Sequence, residues 1–315
     1  MKKILVGNPN YIPLDNNIVD TCITIPFTSK AFENKIDYQK WCYDWAKEIL
    51  RVLKPGGIMM CIAPELSYHR MTCGIEDAGF EIRDCIVWFH SAESEKALLK
   101  PDYTPISIAQ KPLDKNYVNN ALKWGVAGYW IDGGRIPANE ELGRNNHVNP
   151  YSSYRTLNVS KTPAQNNVGM AAKGRWPANL IHDGSDEVLE LFPYTKSGSI
   201  NGTYNNTIMA QSNGNRNGKP IHLEFTGDEG SAARFFYCAK ASRAERDAGL
   251  DGINPHPTIK PINLMRYLVR LTKTPTGGIV LDPFMRNDII MRACELEERD
   301  FIGIKENSED EIELN

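Results

Sequence analysis

No stretch of this 315-residue sequence approaches the roughly 20 consecutive apolar residues that a membrane-spanning helix needs, which excludes a helical membrane protein. A secretory leader is not expected: Met1-Lys2-Lys3-Ile4-Leu5-Val6-Gly7 carries too short an apolar run for one and reads better as a first strand. The seven cysteines include no Cys-x-x-Cys pair, and His69, His90, His147, His182 and His222 share no metal-ligand spacing, so neither a zinc site nor a disulfide framework is expected. Internal repeats are absent. What remains, 41% hydrophobic and 24% charged residues, is the composition of a globular chain long enough to bury an ample core.

A strong overall charge is also lacking, but the net value of -3 conceals an uneven distribution. Lys100 to Ile181 holds 10 Lys or Arg against 5 Asp or Glu, and Ser231 to Pro275 holds 8 against 3. The last forty residues hold 4 against 11. A nucleic-acid surface depends on local basic charge, so the middle of the chain is the place to look for one; ordinary solvated surface explains the counts equally well.

Strand and helix signals alternate over the first hundred residues. Lys3 to Gly7 and Val19 to Thr24 read as strands, and Asp37 to Leu53 as a helix with Trp41, Trp45, Ile49 and Leu53 on one face, closed by Lys54-Pro55-Gly56-Gly57. Ile58 to Ala63, a helix from Glu65 to Ala78 and a strand from Phe80 to Phe89 follow. The rhythm breaks between about 91 and 254 into polar, Gly/Asn/Pro-rich stretches. It resumes with a strand at Arg234 to Ala239, a helix at Pro261 to Lys273, a strand at Thr276 to Phe284, a helix at Asp288 to Glu298 and a strand at Phe301 to Lys305. The expectation is an α/β core from 1–90 and 255–315, a mostly parallel, doubly wound sheet, with a loop-rich insertion at 91–254.

Several segments in order carry a resemblance: His256-Pro257-Thr258-Ile259-Lys260-Pro261, Gly277-Gly278-Ile279-Val280-Leu281-Asp282-Pro283-Phe284, Tyr68-His69-Arg70-Met71, Gly174-Arg175-Trp176-Pro177-Ala178-Asn179-Leu180-Ile181, and Arg234 through Ser242. Together they resemble the β-class DNA amino-methyltransferases, in particular phage and prophage members, which methylate adenine N6 or cytosine N4. The resemblance implies a seven-stranded sheet of the S-adenosylmethionine-dependent methyltransferase type, with cofactor and target sites at the carboxyl ends of its strands. It also implies double-stranded DNA as partner and a cytoplasmic place in a bacterial or phage-infected cell.

The positions that perform the family's chemistry depart from it. The catalytic Asp/Asn/Ser-Pro-Pro-aromatic motif is matched by Thr24-Ile25-Pro26-Phe27, in which Thr24 keeps a hydroxyl, Pro26 one of the prolines and Phe27 a stacking face. The same residues also suit the end of a buried strand. After Asp282-Pro283-Phe284 the family places a glycine-rich turn, because glycine permits close backbone approach and positive φ; here Arg286 and Asp288 stand at the glycine positions. The acidic residue that would meet the ribose is Lys305, with Glu306 one position late, and the family's early Gly-Asp is Gly7-Asn8. His256 and Lys260 lie at the entry to the helix beside the cofactor, where Pro261 suits a first turn.

These departures lead to a methyltransferase-like pseudoenzyme with impaired or lost S-adenosylmethionine binding, acting through DNA or through a partner such as an active methyltransferase subunit. The alternative is an active DNA amino-methyltransferase with a remodelled cofactor pocket. Candidate DNA contacts are Lys161, Lys173, Arg175, Trp176, Lys240, Arg243 and Arg246, basic or aromatic residues in the middle of the chain; a packed tryptophan and solvated lysines are the plainer reading of the same residues.

Overall fold

The run Val19–Thr24 is buried at all six positions, as a strand covered on both faces must be. Its neighbours sort by side-chain alternation between two cores. Cys22, Met59, Cys61, Leu281 and Ile302 pack with Trp45, Ile49 and Met71. Ile23, Met60, Val280 and Phe301 pack with Leu264, Leu268 and Ile290 on the other side. In the computed structural model the residues described are 1–28, 32, 34–63, 65–91, 99, 102–137, 174–204, 221–225, 227–240 and 260–306. The chain divides into two compact units: Met1–Gly134 with Pro177–Leu191 and Phe236–Asn315, and Arg135–Trp176 with Phe192–Phe235.

In chain order the first unit contains β1 (Lys2–Val6), β2 (Val19–Thr24), α1 (Lys35–Val52), β3 (Leu53–Ile62), α2 (Glu65–Asp77), β4 (Glu81–His90), β5 (Asp102–Gln110), α3 (Tyr117–Trp124), β6 (Leu180–His182) and α4 (Asp186–Leu189). The second unit contributes β7 (Tyr194–Lys196), β8 (Ile200–Tyr204), β9 (Ile221–Phe225), β10 (Glu229–Ser231) and a 3-10 turn, Ala232–Phe235. The first unit then resumes with β11 (Tyr237–Cys238), β12 (Ile279–Asp282) and β13 (Asp300–Lys305), with α5 (Ile262–Leu271) before β12 and α6 (Ile289–Leu296) after it.

The first unit's sheet has the order β1-β13-β12-β2-β3-β5-β4-β6-β11, and among these strands β5 alone runs against the rest. The sheet has nine strands where seven were expected, with the short β6 and β11 at one end of the order. Both of these, and β5, come from the 91–254 stretch read from sequence as insertion. The second unit holds two antiparallel pairs, β7 with β10 and β8 with β9.

Two local readings change. Lys54 to Gly57, read as a helix stop, lies inside β3, where Gly56 takes φ 76° and the β2–β3 register slips between Val19↔Leu53 and Thr21↔Ile58. A bulge explains it: glycine absorbs the extra residues at a backbone angle other residues resist. The strand expected at Arg234 to Ala239 is a 3-10 turn followed by two strand residues, because the Arg234 guanidinium folds back to donate to the Gly230 and Ser231 carbonyls at 2.7 and 2.8 Å. At α1, Asn34 caps the helix by accepting from the Ile36 N–H at 2.9 Å, a device worth about 1 kcal/mol.

Candidate functional site

The chain leaves β2 toward β3 on one side and β12 toward β13 on the other, so the crevice beyond the carboxyl ends of these neighbours is the switch point at which open α/β sheets take ligands. β2 ends at Thr24 and β12 at Asp282, and the Thr24 hydroxyl donates to Asp282 Oδ1 at 2.7 Å. The Phe284 N–H donates to the same oxygen at 3.2 Å. Burial pushes the Asp282 carboxyl up to about 6, against the opposing pull of those two donors and of Arg286. Pro283 is buried, and Phe284 packs its ring against Phe27, Trp41 and Trp45 at centroid distances of 6.1, 5.5 and 5.5 Å. Trp41 and Trp45 lie four residues apart on α1, so one helix face supplies both ring contacts to Phe284.

Of the stretch matched to the catalytic motif, Thr24 has no exposed surface and its hydroxyl proton is engaged by Asp282. Pro26 is buried and Ile25 packs against the core beside α5 and α6. Phe27 is half-buried, and the Arg286 guanidinium carbon lies 3.8 Å from its ring centroid. Burial lowers the Arg286 pKa, while Glu306 and Asp282 act in the opposite direction. Glu306, though one residue beyond the position expected for an acidic side chain, is therefore within electrostatic reach of the crevice.

Positive φ is confined, among described non-glycine residues, to Asn17, Lys115 and Glu298, so Arg286 and Asp288 sit at ordinary backbone angles. The turn in this chain thus holds no left-handed residue, and side chains stand where the family places glycine. Asp288, at φ -95° and ψ 8°, directly precedes α6, and Asn287 Oδ1 accepts from the Ile289 N–H at 3.2 Å. Met285 packs onto Gly303 of β13, where a Cβ would overlap its sulfur.

Lys260 approaches the same edge of the sheet from before α5. Its Nζ is 3.5 Å from Thr104 Oγ1 and 5.0 Å from the centre of the Trp88 ring, and Thr104 Oγ1 is also 3.0 Å from His90 Nε2. Lys305 ends β13 exposed, its carbonyl accepting from the Gly7 N–H at 2.9 Å. Pro261 immediately precedes α5, as its preference for a first turn suggests. His256 lies outside the described residues.

Arg175 and Trp176, in the second unit, differ in surroundings. The Arg175 guanidinium is 3.4 Å from Asp228 and 4.8 Å from the Phe235 ring centre, with Arg234 on the same carboxylate at 2.8 Å. Trp176 is 61% exposed, with the Arg135 guanidinium 5.6 Å from its ring centre. Sequence reasoning passed over Arg135, which has no motif around it. Lys240, in the first unit, is exposed and its carbonyl accepts from Asn263 Nδ2 at 3.0 Å. Lys161, Lys173, Arg243 and Arg246 lie outside the described residues. Among the described residues no group of three His, Cys, Asp or Glu is placed to hold a metal ion, and no helix is long and apolar enough to cross a membrane.

Comparison with known proteins agrees with the fold. The crystal structure of PvuII DNA methyltransferase (cytosine-N4-specific) superposes with a TM-score of 0.54 at 13% identity, over 97% of this chain and 82% of that one. The M1.HpyAVI–SAM complex aligns over 98% and 96% with a TM-score of 0.44 and 15% identity. Type II methyltransferase M.HindIII of Haemophilus influenzae is 25% identical over 192 residues, and the match spans 52% of this chain and 60% of that relative. The family model for DNA methylases of the N6/N4 type matches residues 19–313. This chain belongs to the N6/N4 DNA methylase family.

Proposed function

We propose that this DNA methylase-family protein is a pseudoenzyme: its cofactor crevice does not take S-adenosylmethionine in the ordinary way, and it acts by binding DNA, alone or beside a protein partner. The observation that carries the reading is Arg286, whose guanidinium lies 3.8 Å over Phe27 at the crevice between the ends of β2 and β12. S-adenosylmethionine is itself a cation at sulfur. Seating it there would require displacing the Arg286 side chain, which is stacked on an aromatic face at a position where the family places glycine. On this reading the side chain at 286 argues against the ordinary seat for this cofactor.

The target side of the crevice supports the same conclusion. A flipped base stacks on an exposed aromatic face and needs a hydrogen-bond acceptor for its amino group. Phe27 has Arg286 on its ring, and Thr24 is buried with its hydroxyl turned to Asp282. DNA binding is supported by family membership and by the basic excess in Lys100 to Ile181 and Ser231 to Pro275, to which Trp176 and Lys240 belong.

Titration calorimetry with S-adenosylmethionine tests the first part. No heat of binding is expected for the wild type, and micromolar affinity would restore the reading of an active enzyme with a remodelled pocket. The double variant Arg286→Gly, Asp288→Gly is expected to gain binding, and no gain would make the side-chain account inadequate. For DNA, a retardation assay over a salt series should give affinity falling steeply with salt, as counterion release requires.

A further inference from the structure

We infer that Trp176 and Arg135 form a base-stacking platform that takes an unpaired or unstacked base of bound DNA. The inference rests on the DNA-binding reading and adds what the surface reads. Trp176 is 61% exposed, and its ring is bordered by the Arg135 guanidinium rather than covered by apolar side chains.

The tryptophan is also held in place. Arg175 and Ile136 form an antiparallel bridge, Ile136 N–H donating to the Arg175 carbonyl at 3.0 Å and Arg175 N–H to that of Ile136 at 2.8 Å. This isolated bridge sets Arg135 and Trp176 on adjoining segments. Gly174, at φ 86°, brings the backbone so close to the Ile136 carbonyl that a Cβ would not fit. The Arg175 side chain is anchored inward on Asp228 and Phe235. Arg135 is aimed by donating to the Gly174 carbonyl at 3.1 Å, which leaves its guanidinium 5.6 Å from the indole centre.

A preorganised aromatic face with a cation beside it is the chemistry that single-stranded or extruded bases select. The ring stacks on any base, and the guanidinium beside it adds a cation–π contribution. The occupant is nucleic acid rather than an apolar protein face because the chain belongs to the N6/N4 DNA methylase family and the ring is flanked by a guanidinium rather than by apolar side chains. Arg175 follows a different logic: tied to Asp228, it fixes the platform and does not contact DNA itself.

The test is fluorescence anisotropy with labelled duplexes of equal length, one fully paired and one with a single bulged base, against wild type, Trp176→Ala and Trp176→Phe. Wild type should prefer the bulged duplex. Trp176→Ala should weaken binding to it by about 5-fold to 100-fold, with a much smaller loss on paired DNA, and Trp176→Phe should restore most of the preference. Equal losses on both duplexes, or no loss on either, overturn the platform while leaving DNA binding intact. Absence of any DNA binding by the wild type overturns the DNA reading and the platform with it. Because the side chain is exposed, thermal melting of the variants should match the wild type, and a lowered melting temperature for both would replace the platform by a packing role.

Discussion

Replacing Asp282 by asparagine isolates the electrostatic cost of the crevice. The carboxyl is buried and titrates near 6 in the folded chain, whereas an unfolded aspartate titrates at ~3.9. At ~1.4 kcal/mol per pH unit, ionising it in place costs the fold up to roughly 3 kcal/mol. The direction follows from the raised value. The native state binds the proton more tightly than the unfolded chain, so this group's favourable contribution is complete below ~3.9, falls as pH rises, and is gone above about 6. An asparagine amide oxygen can accept from Thr24 and from the Phe284 N–H as Asp282 Oδ1 does, without the charge. Asp282→Asn should therefore match the wild type near pH 4 and exceed it at pH 7 by up to roughly 3 kcal/mol, or about 2 °C in Tm per kcal/mol. Thermal unfolding of both proteins across pH 4 to 8 gives the difference directly. A difference that does not change with pH, or an asparagine variant less stable at neutral pH, refutes the reasoning. Arg286→Ala in the wild-type background should move the titration upward, because Arg286 helps to hold the carboxylate charged.

Asp20 is buried at the amino end of β2, where it accepts from Lys54 at 2.8 Å and from the Ile279 N–H at 2.8 Å; Asp20→Ala should cost about 2–4 kcal/mol in urea unfolding, and a loss under about 1 kcal/mol would show that water replaces both contacts. Gly303→Ala should destabilise by about 1–3 kcal/mol through overlap with the Met285 sulfur, and by clearly less in a Met285→Ala background; additive effects in that double-mutant cycle would disprove the contact as the cause.

The sheet was legible because its residues obey short periods. Val19 to Thr24 and Ile279 to Asp282 are short runs of mostly apolar or β-branched residues, and Trp41, Trp45 and Ile49 repeat at helical spacing, so the strands and helices around the crevice follow from local pattern. β5, β6 and β11 were harder. Strands of two or three residues carry no period, and β5 lies in a stretch read as insertion because Asn/Gly/Pro-rich segments surround it. The bulge at Gly56 looked like a helix stop for a related reason: a Lys-Pro-Gly-Gly string suits either role, and the pairing partner decides between them.

At the crevice, residue order by itself determined that glycine is absent at 286 and 288 and that Lys305 stands where an acid was expected, since these are statements about which side chain follows which. Only the tertiary structure decided what those side chains do. It brought Arg286 onto Phe27, some 260 positions earlier, turned the Thr24 hydroxyl onto Asp282 and tied Arg175 to Asp228 while leaving Trp176 exposed beside Arg135. Cation–aromatic stacking, buried hydrogen bonds and carboxyl titration depend on separations of a few ångströms, and chain distance is silent about those until the fold closes.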